Sequence, residues 1–178
     1  MRASRAMDAA LQECTDTLPP FESRELEELL THLAYEWLML DHTSAEWQRT
    51  RDRVVLESLL LHIRNLRDFL FDQPSPSTPH GDKAVWAGHY LPAWASQKGS
   101  HHYAILWQME AAINAQLSHL SRKRVDPSGT AALDENATAL ADAIRHGWGR
   151  FRSALEGSTW AESFQEKHAA KRRELFGY

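Results

Sequence analysis

The stretch Val54-Val55-Leu56-Glu57-Ser58-Leu59-Leu60-Leu61-His62-Ile63-Arg64-Asn65-Leu66-Arg67-Asp68-Phe69-Leu70-Phe71 decides the fold class of this chain. Val55, Leu59, His62, Leu66 and Phe69 recur at spacings of three and four, which puts them on one face of a helix. Strict alternation, the mark of a half-buried strand, is absent. Glu57 and His62 interrupt the run well short of the ~18 uncharged apolar residues that a membrane-spanning helix needs. Burying an unpaired charge is expensive, so the polar residues His62, Arg64, Asn65 and Arg67 set among leucines are the first place to look for function. Two readings of them stand. They are a core-edge histidine with surface ion pairs, Arg64 and Asp68 being spaced i,i+4, or they form a polar seam facing another helix or a second subunit.

The same period extends outward in both directions. Upstream, Leu26, Leu29, Leu33, Trp37 and Leu40 mark a helix over about 22–41. Its acidic first turn (Glu22, Glu25) suits the positive end of the helix dipole. Thr43-x-x-Glu46 reads as a capping box that opens the next helix, which runs to about Asp72. The prolines of Gln73-Pro74-Ser75-Pro76-Ser77-Thr78-Pro79 then stop it. Residues 82–96 are aromatic but aperiodic. They are expected to form a helical turn and an irregular flap pinned to the bundle by Trp86, Tyr90 and Trp94.

A helix over about 100–124 follows, with Ile105, Met109, Ala112, Gln116 and Leu120 in register, and Asp126-Pro127-Ser128-Gly129 ends it. The next, about 131–155, has the cleanest stripe: Ala137, Ala141, Ile144, Trp148, Phe151 and Leu155. Thr159-x-x-Glu162 is a second capping box, opening a polar final helix with Lys171-Arg172-Arg173 near its end. A weakly amphipathic segment, about 3–17, precedes Pro19-Pro20. The expectation is an all-α, single-domain antiparallel bundle of about five to six helices spanning residues 1–178. Its core covers about 22–155, and terminal helices at about 3–17 and 159–174 pack on that core or at an interface.

With 178 residues, 43% of them hydrophobic and 25% charged, the chain can bury a real core. A formal net charge of −4 argues against a histone-like nucleic-acid coat. The single cysteine, Cys14, excludes an intramolecular disulfide and a cysteine-based zinc site within one chain. The N-terminal residues lack the apolar stretch of a secretory signal, so a cytoplasmic protein without a membrane anchor is expected. Gly-rich phosphate loops and nucleophile elbows are absent. Ten histidines invite a metal hypothesis, but paired Glu-x-x-His motifs do not occur. No cofactor or resident metal is expected, although a site assembled from distant histidines stays open.

A second chemistry-bearing segment, a candidate partner for the first cluster, is Ile113-Asn114-Ala115-Gln116-Leu117-Ser118-His119-Leu120-Ser121-Arg122-Lys123-Arg124. His119 and Arg122 share a face at i,i+3. A histidine near neutral pKa can move a proton, and arginines can hold a phosphate or stabilise its transition state. That combination suits metal-independent RNA cleavage with the ribose 2′-hydroxyl as nucleophile. The same residues also fit a plainer reading, a basic helix C-terminus favoured by the dipole. Lys167, Lys171, Arg172 and Arg173 form a basic tail helix, read as a solvated face or, alternatively, a contact to an RNA backbone.

The segment Ile113 to His119, following a leucine-rich helix, resembles the signature of HEPN domains, helical bundles found in many bacterial toxin and phage-defence ribonucleases. Their motif is Arg, four to six residues, then His, often with Asn after the Arg. The segment Leu61 to Leu70 is also similar to one in bacterial helical proteins of this size that carry a His-x-Arg-Asn-Leu helix. The HEPN resemblance covers about residues 22–155 loosely and departs from the family at one place, where Asn114 stands for the motif arginine. It implies His119, Arg64 and Arg122 as the catalytic group and Asn65, Asn114, Arg67 and Arg124 as substrate-binding residues. It also implies a homodimer bringing two His119 residues towards a shared cleft. The expected function is that of an RNA-acting, metal-independent endoribonuclease or toxin-type protein of a bacterial defence or stress system. The alternative is a non-catalytic helical interaction module or homodimeric subunit, with a protein rather than RNA as partner.

Overall fold

A computed structural model of the chain describes residues 21–73, 84–95, 100–117 and 127–178. The described residues form six helices and no strand: α1 (Ser23–Thr50), α2 (Arg53–Phe71), α3 (Ala87–Tyr90), α4 (His101–Leu117), α5 (Pro127–Leu155) and α6 (Ala161–Phe176). The all-α expectation holds. None of these helices is long and apolar enough to cross a membrane. The expected helix at 3–17 and the Pro-rich loop lie outside the described residues, apart from the loop's first residue, Gln73.

The break between the first two helices is nine residues later than the Thr43-x-x-Glu46 box implies, the cap being Asp52 rather than Thr43. Thr43 is buried inside α1, and its hydroxyl donates to the Met39 carbonyl, 2.6 Å away. Within a helix a threonine can satisfy itself on the preceding turn, and Trp47 extends the buried face beyond it. The real stop is Arg51, in the left-handed region (φ 56°), whose N–H donates to the Trp47 carbonyl. Asp52 then caps α2, its Oδ1 accepting from the Val54 N–H at 2.7 Å. At the head of α1 the Glu22 N–H donates to the Glu25 carboxylate. The second box also shifts, since Trp160 rather than Thr159 precedes the last helix, its N–H donating to Ser158 Oγ. Pro127 does not end a helix but begins α5, as suits a residue with no N–H to leave unpaired in a first turn.

Helix α2 is the centre of the bundle, packed by α1, α3, α4 and α5. Leu56, Leu59, Leu60, Ile63, Leu66, Leu70 and Phe71 are fully buried, so its apolar surface is far wider than one stripe. Chain neighbours α1 and α2 run antiparallel, as do α2 and α4, where Glu57 meets Gln116 and Arg67 meets Glu110. The stripe read on α5 is buried throughout, from Ala137 to Leu155. Its Trp148 lies flat on Trp37 of α1, centroids 4.8 Å apart. On α4 the buried residues are Leu106, Ile113 and Gln116, so the face is turned by about one position from the one the sequence suggests. The aromatic flap is pinned by real hydrogen bonds. The Tyr90 hydroxyl donates to the Leu26 carbonyl (2.9 Å) and Trp94 Nε1–H to the Leu70 carbonyl (3.0 Å).

Two glycines on α5 test this packing in opposite directions. A methyl on Gly147 would come within 2.7 Å of the Phe71 ring, which is fully buried, whereas a methyl on Gly149 meets nothing within 4 Å. Gly147→Ala is expected to destabilise the fold by about 1–2 kcal/mol, overpacking outweighing the gain in helix propensity. Gly149→Ala should stabilise it by about 0.5–1 kcal/mol. Urea denaturation of the two variants checks both signs.

Candidate functional site

On an α-helix successive side chains turn by about 100°, and α2 uses this to divide the polar cluster between two surfaces. His62 and Asn65 look towards α1. His62 is 3% exposed, and its Nδ1 lies 2.7 Å from Glu36 Oε2, with the Tyr35 ring edge-on at 5.7 Å. Beside this pair a small cavity of about 130 Å³ is bounded by Asn65, Glu36, His32, Leu66, Phe69 and Tyr90. A neutral imidazole donating to a carboxylate, or an imidazolium paired with it, satisfies both groups in a site of little water. The inward-facing His62 read from the stripe is therefore what the structure has.

Arg67 looks the other way, towards α4. Arg67 is 4% exposed and held by acids: Asp68 (2.6 Å), Glu110 of α4 (3.3 Å) and Asp72 (3.9 Å). The Tyr103 hydroxyl stands 3.5 Å from Asp72. Burial, with Asp72 and Glu110 nearby, pushes that phenol above its ordinary range. Partial loss of solvation raises the Asp68 carboxyl in spite of Arg67. A buried guanidinium surrounded by three carboxylates is a structural clamp. Breaking such a clamp at one partner typically costs ~3–5 kcal/mol, less where the acids can rehydrate. Half of Asp68 is open to water, so the lower end applies here.

At the other end of the same seam Gln116, buried, donates from Nε2 to Glu57 (2.9 Å). Arg64 lies on α2 between these two junctions, half-exposed, near enough to Asp68 to act on its charge, and without an ion pair among the described residues. Asn114, half-buried, sits two residues before Gln116 on α4. So Arg67 belongs to the α2–α4 seam and Asn65 to the opposite, α1-facing side, while Arg64 and Asn114 are half-buried on the two helices that form the seam. His119, Arg122 and Arg124 lie outside the described residues. Sequence spacing did not reveal Glu36 as the partner of His62, nor Glu110 and Asp72 as the partners of Arg67. Among the described residues no group of three or more His, Cys, Asp or Glu side chains is placed to hold a metal ion.

A second cluster went unread in the sequence. His102 of α4 stacks face to face on His146 of α5, centroids 4.0 Å apart, with His101 at 5.9 Å. Loss of solvation, then His146 and His101, depress the pKa of His102. Burial and the neighbouring Arg152 and Arg172 do the same to His168 on α6. No protein-family model, curated protein or solved structure matches this chain.

A histidine whose pKa is lower in the fold than in the open chain binds its proton more readily once unfolded. Its contribution to stability is thus complete above about pH 6.5 and is lost as pH falls through the lower, folded value. The fold is expected to weaken between about pH 7 and pH 5, and the double variant His102→Gln, His168→Gln to weaken less. Urea midpoints across that range decide it; equal slopes for the two proteins would refute the assignment.

Proposed function

We propose that this chain is an RNA-acting helical bundle of the HEPN-like kind, working without metal, with the α2–α4 seam as its active face. One observation carries the reading: the helix bearing Asn114 packs antiparallel along the helix bearing Arg64, joined at Glu57–Gln116 and at Arg67–Glu110. The described part of the second segment, up to Leu117, therefore lies on the helix beside the first. Their roles divide by environment. Arg67 is neutralised by Asp68, Asp72 and Glu110, so it shapes the seam. Phosphate contact falls to Arg64, the half-exposed cation, with Asn114 beside the seam and Arg122 following in sequence. His119 is the general acid and base. Purified protein is expected to cleave RNA in the presence of a chelator. His119→Ala should slow the reaction by ~100-fold or more, and Arg64→Ala should slow it by ~10-fold or more through weakened phosphate stabilisation. Protein inert towards varied single-stranded and structured RNAs would defeat the proposal.

A second reading, a non-catalytic interaction module that pairs with itself, has its own observation. Large apolar side chains stand in solvent on the outward sides of α2 and α4: Val54 at 75%, Leu61 at 38% and Trp107 at 56% exposure. Trp107 is stacked on Tyr103, centroids 6.0 Å apart, which extends the aromatic surface. Apolar surface of this kind is usually covered by a partner. Light scattering should then show a dimer that Trp107→Glu converts to monomer. A wild-type monomer at high concentration would remove this reading.

A further inference from the structure

Away from the seam, α1 and α6 run side by side in the same direction, and near their C-terminal ends they enclose a cleft of about 300 Å³. Its walls combine rings and cations. Trp37 of α1 and Phe176 and Tyr178 at the chain end supply flat apolar surface. His42, His168 and Arg172 supply hydrogen-bond donors. The rings already contact one another around it. His42 lies 5.2 Å from Phe176, Phe176 stacks with Tyr178 at 6.2 Å, and the Arg172 guanidinium lies over Tyr178 at 5.1 Å.

The charges show what such a cleft would hold. Asp41, the one acid on its wall, is bound to Arg145 at 3.2 Å, and that arginine also holds Asp142. On α6, Lys171 is taken by Glu174 and Lys167 by Glu27. Arg172 has no carboxylate partner among the described residues and only the Tyr178 ring beneath it. Two imidazoles stand in the same cleft, and an imidazole in its neutral form still offers one N–H donor. A free guanidinium with stacked rings is the arrangement by which proteins hold a base by its face and a phosphate by its oxygens. The volume lies at the lower end of small-ligand sites, fitting one nucleotide.

We infer that the α1–α6 cleft is a nucleotide site, with the base against Trp37, Phe176 and Tyr178 and the phosphate on Arg172, His42 and His168. The nucleotide is either free or one unit of a single-stranded RNA. The site is separate from the α2–α4 seam and stands whether or not that seam cleaves RNA.

Calorimetric titration of the full-length protein tests this with 5′-AMP, adenosine and a short oligoadenylate. AMP should bind at least ~10-fold more tightly than adenosine because only AMP carries the phosphate. Arg172→Gln should remove that advantage while leaving adenosine unchanged. Tyr178→Ala should weaken both by roughly 10-fold, the ordinary worth of one stacked base. Both residues are exposed at the end of the last helix, and circular dichroism will confirm that the variants fold. Oligoadenylate binding far more tightly than AMP, with steep salt dependence, identifies an RNA strand as the ligand. Equal affinity identifies a free nucleotide. Absence of AMP and oligoadenylate binding at millimolar concentration, or binding that ignores both substitutions, overturns the inference. His119→Ala is expected to leave AMP affinity unchanged, so loss of cleavage and loss of this site are read separately.

Discussion

A helix packed by four others can keep a polar side chain only if that side chain finds a partner, and this constraint on α2 organises the rest of the molecule. His62 is answered by Glu36 on α1, Arg67 by Glu110 on α4, by Asp68 of its own helix and by Asp72 just past its end, and Glu57 by Gln116. Each pairing fixes which face of a neighbouring helix turns inward. An apolar interior alone would tolerate α4 rotated by a residue either way, because Ile105, Leu106, Met109 and Ile113 all offer apolar surface. The Glu110 and Gln116 contacts remove that freedom, since an unanswered buried guanidinium or carboxamide costs more than a poorer apolar fit. The observed face of α4, centred on Leu106 and Ile113, is the one that satisfies both.

The same pairings redistribute the residues that chemistry would need. Arg67 has the most elaborate set of partners in the cluster, three carboxylates that surround its charge. Arg64, with fewer contacts, keeps its charge available at the edge of the seam. Buried charge serves architecture here, and the half-exposed charge of Arg64 is not tied into that packing. The α1–α6 side repeats the pattern: Lys167 and Lys171 are paired along the helices, while Arg172 has no carboxylate partner among the described residues. Trp37 in the wall of that cleft stacks on the buried Trp148 and so joins the cleft to the core.

What the amino-acid sequence determined by itself is the helical class, the division into helices and the inward faces of the most regular of them. Period is a local property: Ala137 to Leu155 repeats at three and four, and every residue of that stripe is buried. The flap anchors Tyr90 and Trp94 were legible too, because large rings in an aperiodic stretch have nowhere to go but onto the core. Helix ends were less legible. Thr43 and Glu46 have the spacing of a cap, but a hydroxyl can bond the preceding turn of its own helix just as well. The true stop at Arg51 has no glycine to announce it. Only the tertiary structure decided the partners. Glu36 and His62 are 26 positions apart, and Gln116 and Glu57 are 59 apart. No spacing rule links such pairs, since their meeting depends on how whole helices pack. The opening cluster shows the reason most plainly. Its residues are consecutive in the chain, but on a helix consecutive side chains diverge by about 100°, so neighbours in sequence became residents of two different surfaces.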